Sequence, residues 1–171
     1  GLGISGISTV QFMIKHEYKF IIWDDNPKSL KNCIKSLNIP RNKLNICPPD
    51  NREWANITCL VASPGIPKLK THKIFEKAKR NISIICDIEL FYMHFPDQKY
   101  IAITGTNGKS TTTKLITHIL KTSGYKAIAC GNIGNPILSL VPRDEIIVLE
   151  MSSYQLDLIK NFKPNTAVIL N

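Results

Sequence analysis

The sequence predicts an α/β fold of mostly parallel sheet covered by helices, arranged as two successive units. Three observations predict it. Short strands rich in β-branched residues alternate with helical stretches along the chain. Two glycine-rich turns, Gly1-Leu2-Gly3-Ile4-Ser5-Gly6 and Thr104-Gly105-Thr106-Asn107-Gly108, each lead into a helical stretch. Between the units, Pro96-Asp97 breaks the pattern. With 171 residues, 43% hydrophobic and 20% charged, the chain can bury one core or two small ones.

In the first unit, residues 1–6 form a turn, 7–16 a short helix, and 19–23 a strand of β-branched and aromatic residues that ends in Asp24-Asp25. A polar stretch follows. Residues 57–62 then read as a strand running into the turn Ser63-Pro64-Gly65-Ile66-Pro67. A helix over 71–80 with Thr71 as N-cap leads to a strand over 82–86, and a short helix over 87–95 ends at the break. The domains are therefore placed at 1–95 and 96–171. In the second unit, a strand over 100–103 enters the glycine loop, a helix over 109–123 stops at Gly124, and a strand over 126–129 leads to Gly131-Asn132-Ile133-Gly134. Strands over 145–149 and 166–170 flank a helix over 154–160.

Bulk properties exclude several classes. No apolar run reaches the length of about 18 residues that a membrane-spanning helix needs, so no membrane span is expected and the cytoplasm is the expected compartment. Cys33, Cys47, Cys59, Cys86 and Cys130 form no CxxC pair and have no histidine at ligand spacing, so free thiols are expected. The net charge of +9 raises the question of nucleic acid, but the lysines are dispersed rather than blocked, which fits a solvated surface; no nucleic-acid partner is expected. His16, His72, His94 and His118 show no pattern of a catalytic base.

The loop from Thr104 through Gly105, Thr106, Asn107 and Gly108 to Lys109, Ser110 and Thr111 is the strongest local signal. A glycine loop between strand and helix aims backbone N–H groups at phosphate oxygens, and the helix N-terminus adds partial positive charge. Lys109 can reach the terminal phosphates, and the hydroxyl of Ser110 or Thr111 can hold Mg²⁺. Ile103 stands where the strict GxxxxGK[ST] pattern has its first glycine. Glu150, at the end of the strand over 145–149, is placed as Mg²⁺ ligands are in such sheets; an exposed strand-end carboxylate is the plainer alternative. Gly1 to Gly6 satisfies GxGxxG with Asp24 and Asp25 about twenty residues on, which alone suggests a dinucleotide.

The shortened phosphate loop resembles that of the Mur ligases and the related folylpolyglutamate synthetases. Leu149-Glu150-Met151-Ser152-Ser153-Tyr154-Gln155-Leu156 is similar to the acidic signature of the D-glutamate-adding branch of the Mur ligases. The segments at 63–67, Asp87-Ile88-Glu89-Leu90-Phe91 and 131–134 also look like signatures of that branch, in the right order. The resemblance implies a Rossmann-like amino-terminal domain that grips a UDP-linked substrate, followed by part of a P-loop-type ATPase domain.

Carried over residue by residue, it puts Ile4 and Ser5 at the substrate diphosphate, Asp24 and Asp25 at the uridine end and Gly65 beside them. Asn26 stands where some members carry a basic residue. Asn132 and Ser152 come to the substrate, Gly105 to Thr111 to ATP, Lys109 and Glu150 to catalysis, and Ser110 and Glu150 to Mg²⁺. The implied activity is ATP-dependent addition of D-glutamate to UDP-N-acetylmuramoyl-L-alanine through an acyl phosphate, by a monomer.

Against the resemblance, Gly1 opens directly on the glycine turn, without the strand that normally precedes it, and the family's metal-site histidine and modified lysine and its third domain fall after Asn171. The chain alone is therefore expected not to ligate. Two other readings stay open: a nucleotide-binding module without catalysis, and an NAD-linked oxidoreductase resting on the first glycine motif.

Overall fold

The computed structural model describes residues 1–38, 44–51, 54–64, 66, 74, 78 and 82–171. They fall into two compact units, Gly1–Asp87 and Ile88–Asn171, a division ahead of the break at Pro96. Among the described residues, no helix is long and apolar enough to cross a membrane.

In the first unit, helix α1 spans Ile4–Lys15, starting three residues earlier than the sequence suggests, so Ile4 and Ser5 lie in its first turn rather than in the preceding loop. Gly3 supplies the N-cap backbone, and its carbonyl accepts the Ile7 N–H at 2.9 Å. Helix α2, Pro27–Leu37, occupies the stretch read as merely polar. The Asn26 side chain accepts the Lys28 N–H, Pro27 takes the first helical position, and Asn38 closes the helix in the left-handed conformation. Its apolar stripe of Leu30, Cys33, Ile34 and Leu37 packs with Leu2, Ile7, Val10, Phe20, Ile22 and Leu44.

Among the described residues, the strand expected over 19–23 is reduced to one parallel bridge, Ile22 to Ile46, secured by Ile22 N–H to Asn45 O and Cys47 N–H to Ile22 O. Strands β1, Cys59–Val61, and β2, Ser83–Ile85, pair in parallel as expected. Of the helix expected over 71–80, only Ile74 and Ala78 are described, and both are helical; Thr71 and Gly65 lie outside the described residues.

The second unit begins in helix α3, Asp87–His94. Its sheet contains β3, Tyr100–Thr104, β4, Ala127–Gly131, β5, Ile146–Glu150, and β6, Thr166–Ile169, all parallel in the order β4-β5-β3-β6. Helix α4, Lys109–Thr122, lays Ile116 and Leu120 on Ile103, Val148 and Ala127. Burial of β5 on both faces explains its unbroken apolar run, Ile146-Ile147-Val148-Leu149.

Helix α5 is short, Ser153–Leu156, where the sequence suggests helix as far as 160. The reason is Glu89. Its buried carboxylate accepts the N–H groups of Lys160, Asn161 and Phe162 at 3.1, 2.7 and 3.1 Å, bending that segment around itself in competition with helical bonding.

Candidate active site

In an all-parallel sheet, side chains of different strands converge beyond the carboxyl ends. Here the central neighbours β3 and β5 both end at one place, with Ile103 in register with Glu150. Past β3 the chain turns at Gly105, whose φ is +142°. A Cβ at Gly105 would overlap the Leu170 main chain, so the loop can pass that close only without a side chain. Beyond β6, the Asn171 carbonyl accepts the N–H groups of Thr106 and Asn107 at 3.1 and 3.0 Å. The sequence aims those two groups at phosphate; in the structure they extend the strand ladder and pin the first half of the loop.

Gly108, at φ +77°, caps α4, so Lys109, Ser110 and Thr111 form the first helical turn. Their N–H groups have no intrahelical acceptor and lie at the positive end of the helix dipole. Lys109 arches back over the loop, donating from Nζ to the carbonyls of Gly105 at 2.7 Å and Thr106 at 3.0 Å. Of the two hydroxyl candidates, Ser110 Oγ donates to Glu150 Oε2 at 2.7 Å, whereas Thr111 is exposed.

Glu150 is buried, at 2% exposure, so it is not a surface strand-end carboxylate. Its Oε1 accepts from Asn132 Nδ2 at 3.2 Å, which brings Asn132 into the same cluster. A hydroxyl and a carboxylate in contact are hard oxygen donors, the set that Mg²⁺ takes together with phosphate oxygens and water. Among the described residues, no group of three or more His, Cys, Asp or Glu could hold a metal by itself. The Ser110 hydroxyl and the Glu150 carboxylate fit such a cation by their donor chemistry.

Ser152 lies just past β5 and serves as the N-cap of α5. Its hydroxyl accepts the Gln155 N–H at 3.3 Å, and the Gln155 side chain accepts the Ser152 N–H at 3.0 Å. The motifs read from the sequence contain Gln155 and Thr104 without giving either a role of its own, although Ser-x-x-Gln is a capping-box signal; Thr104 Oγ1 donates to the Met151 carbonyl at 3.1 Å.

The first unit assembles a second cluster. Asp24 accepts the Leu2 N–H at 2.5 Å and the Asn26 N–H at 2.8 Å, one on each oxygen, tying the glycine turn to the acidic end of the preceding segment. Asp25 accepts the Trp23 indole N–H at 2.8 Å. A Cβ on Gly1 would stand 3.0 Å from Ser63 Cβ, so the turn at 63 also borders the glycine motif. Ile4 and Ser5 present the N-terminal turn of α1 there.

A parallel α/β unit with a glycine loop, an arched lysine and a hydroxyl–carboxylate pair at its strand ends, preceded by a unit that also holds parallel strands, defines a two-unit α/β protein of the kind the Mur ligases build from their N-terminal and middle domains. Residues 1–86 match the family model of the Mur ligase MurD-like N-terminal domain, and residues 103–171 match that of the Mur ligase middle domain. The chain belongs to the Mur ligase family. Over its whole length it is 44% identical to the UDP-N-acetylmuramoylalanine–D-glutamate ligase of Rickettsia prowazekii, 40% to that of Bartonella henselae and 40% to that of Wolbachia pipientis wMel. It spans 37%, 39% and 33% of those proteins, respectively.

Proposed function

We propose that this chain forms the UDP-substrate-binding and ATP-binding parts of a ligase that joins D-glutamate to UDP-N-acetylmuramoyl-L-alanine in peptidoglycan precursor synthesis. The observation that carries the reading is the Ser110–Glu150 pair at 2.7 Å, set beside Lys109 in the first turn of α4. The relatives' names supply the substrates.

ATP lies along Gly105, Thr106, Asn107, Gly108, Lys109, Ser110 and Thr111, with the first-turn N–H groups and Lys109 facing its phosphates. Ser110 and Glu150 would hold Mg²⁺, which would supply charge neutralisation at the phosphates. The substrate carboxylate attacks the γ-phosphorus and ADP leaves. The amine of D-glutamate then attacks the acyl carbon, the C–N bond forms, phosphate departs and the amine gives up a proton. Positioning and charge neutralisation are what such a transfer requires of the protein.

The first domain, 1–95, anchors the UDP handle, with Ile4 and Ser5 at the diphosphate, Asp24 and Asp25 toward the uridine, and Gly65 letting the neighbouring loop approach. Asp24, committed to two main-chain N–H groups, acts there chiefly by holding the glycine turn in shape. The second domain, 96–171, carries the chemistry, with Asn132 and Ser152 on the substrate side. The enzyme works in the cytoplasm as a monomer. Lys109→Ala in the full-length protein should abolish turnover; retained turnover contradicts the assignment.

A further inference from the structure

We propose that Asn132 is a positioning residue for Glu150: its amide fixes the carboxylate so that Oε2 faces Ser110, and a divalent cation on that pair is held more weakly without it. The inference rests on reading Ser110 and Glu150 as the metal pair.

The backbone places Asn132 for this task. Gly131 at the end of β4 is in register with Glu150 at the end of β5. A Cβ on Gly131, whose φ is +100°, would overlap the Glu150 main-chain oxygen, so β4 can lie this close to the end of β5 there only without a side chain. The next N–H, that of Asn132, donates to the same Glu150 carbonyl at 3.0 Å. With its main chain fixed there, the short Asn132 side chain reaches Oε1 at 3.2 Å. Facing an acceptor-only carboxylate, the amide must present its NH₂ group, which settles its orientation.

Each oxygen of Glu150 thus has its own donor, Asn132 on Oε1 and Ser110 on Oε2. The terminal torsion of a glutamate is broad and two-fold, so one donor alone leaves the carboxylate plane free to swing. Two donors on opposite oxygens fix it. Glu150 is buried, so water replaces a lost partner poorly. A residue needed only to make the turn between Gly131 and Gly134 would have no reason to spend its side chain on this carboxylate. Partners of this kind around a metal ligand are worth about ten- to a hundredfold in metal affinity.

The test uses the full-length protein and two titrations: Mn²⁺ binding in the presence of a non-hydrolysable ATP analogue, followed by electron paramagnetic resonance, and binding of a fluorescent ATP analogue in EDTA. Wild type is compared with Asn132→Ala, Ser110→Ala and Glu150→Gln. The main-chain bond from residue 132 to Glu150 survives the alanine substitution. Asn132→Ala should weaken Mn²⁺ by about tenfold and leave metal-free nucleotide binding unchanged. If Glu150→Gln loses Mn²⁺ while Asn132→Ala binds it as wild type does, the positioning role is overturned and the metal pair stands. An equal loss of metal-free nucleotide binding in Asn132→Ala also overturns it, since the loop as a whole would be disturbed. If none of the three variants changes Mn²⁺ binding, the metal pair itself fails, and the inference with it.

Discussion

Asn161 donates both its main-chain N–H, at 2.7 Å, and its side-chain Nδ2, at 2.9 Å, to the same oxygen of Glu89, seventy-two residues earlier in the chain. With Lys160 and Phe162 on the other oxygen, a fully buried carboxylate becomes the anchor of the segment that leads into β6. Since Asn171 beyond β6 holds Thr106 and Asn107, the same segment feeds into the geometry of the glycine loop.

Glu89→Ala would leave three main-chain N–H groups without their acceptor. A loss of about 3 kcal/mol is expected, given roughly 1 to 3 kcal/mol for the buried N–H of Phe162 and less for the part-buried N–H groups of Lys160 and Asn161. Glu89→Gln keeps one acceptor oxygen and should lose less. Urea denaturation of both variants checks the order.

Gly105→Ala should destabilise by about 3 kcal/mol, because alanine is strained at φ +142° and its Cβ meets the Leu170 main chain. Nucleotide affinity should fall with it, as the loop can only relieve the overlap by moving away from β6. Gly124→Ala is the comparison, since a Cβ there meets nothing within 4 Å although φ is also positive, at +84°. Thermal melts should therefore show the larger drop at Gly105.

Tyr100 gives a pH signature. Its ring is packed edge-on against Phe91, Tyr92 and Phe162, and its hydroxyl donates to the Phe95 carbonyl at 2.7 Å. Burial, with lesser contributions from Cys130 and Tyr92, pushes the phenol well above its ordinary 10.0. The folded state therefore keeps a proton that the unfolded chain releases. The associated stability is complete below about pH 10 and is lost as pH rises above it toward the folded-state value. Tyr100→Phe should cost about 1 kcal/mol at pH 7 through the lost hydrogen bond. In urea denaturation its deficit relative to wild type should shrink by pH 11.

The alternation of strands and helices in the second unit was legible because β3 and β5 are largely buried apolar runs and glycines follow β3, α4 and β4 in the sequence. Helix α2 was legible too, but overlooked: Asn26-Pro27 is a start signal, and Leu30, Cys33, Ile34 and Leu37 form a helical stripe. The extent of α5 was not legible, because what ends it is Glu89, distant in sequence and silent in any local window. The strand over 19–23 did not form a ladder among the described residues because strand propensity is realised only where a partner lies alongside, and the bridge described there is Ile22 to Ile46. At the site, the loop motif and Glu150 were readable from spacing. The selection of Ser110 over Thr111 depends on which side of the first turn faces β5, and the Asn132–Glu150 contact depends on β4 lying beside β5 in the sheet.

The most direct test of the proposed function is a product assay. The full-length protein is incubated with ATP, Mg²⁺, UDP-N-acetylmuramoyl-L-alanine and labelled D-glutamate, with Lys109→Ala in parallel. The predicted result is one labelled amide product formed for each ADP released by wild type, and neither by the variant. Nucleotide binding without labelled product, or product formation undiminished in Lys109→Ala, would contradict the account.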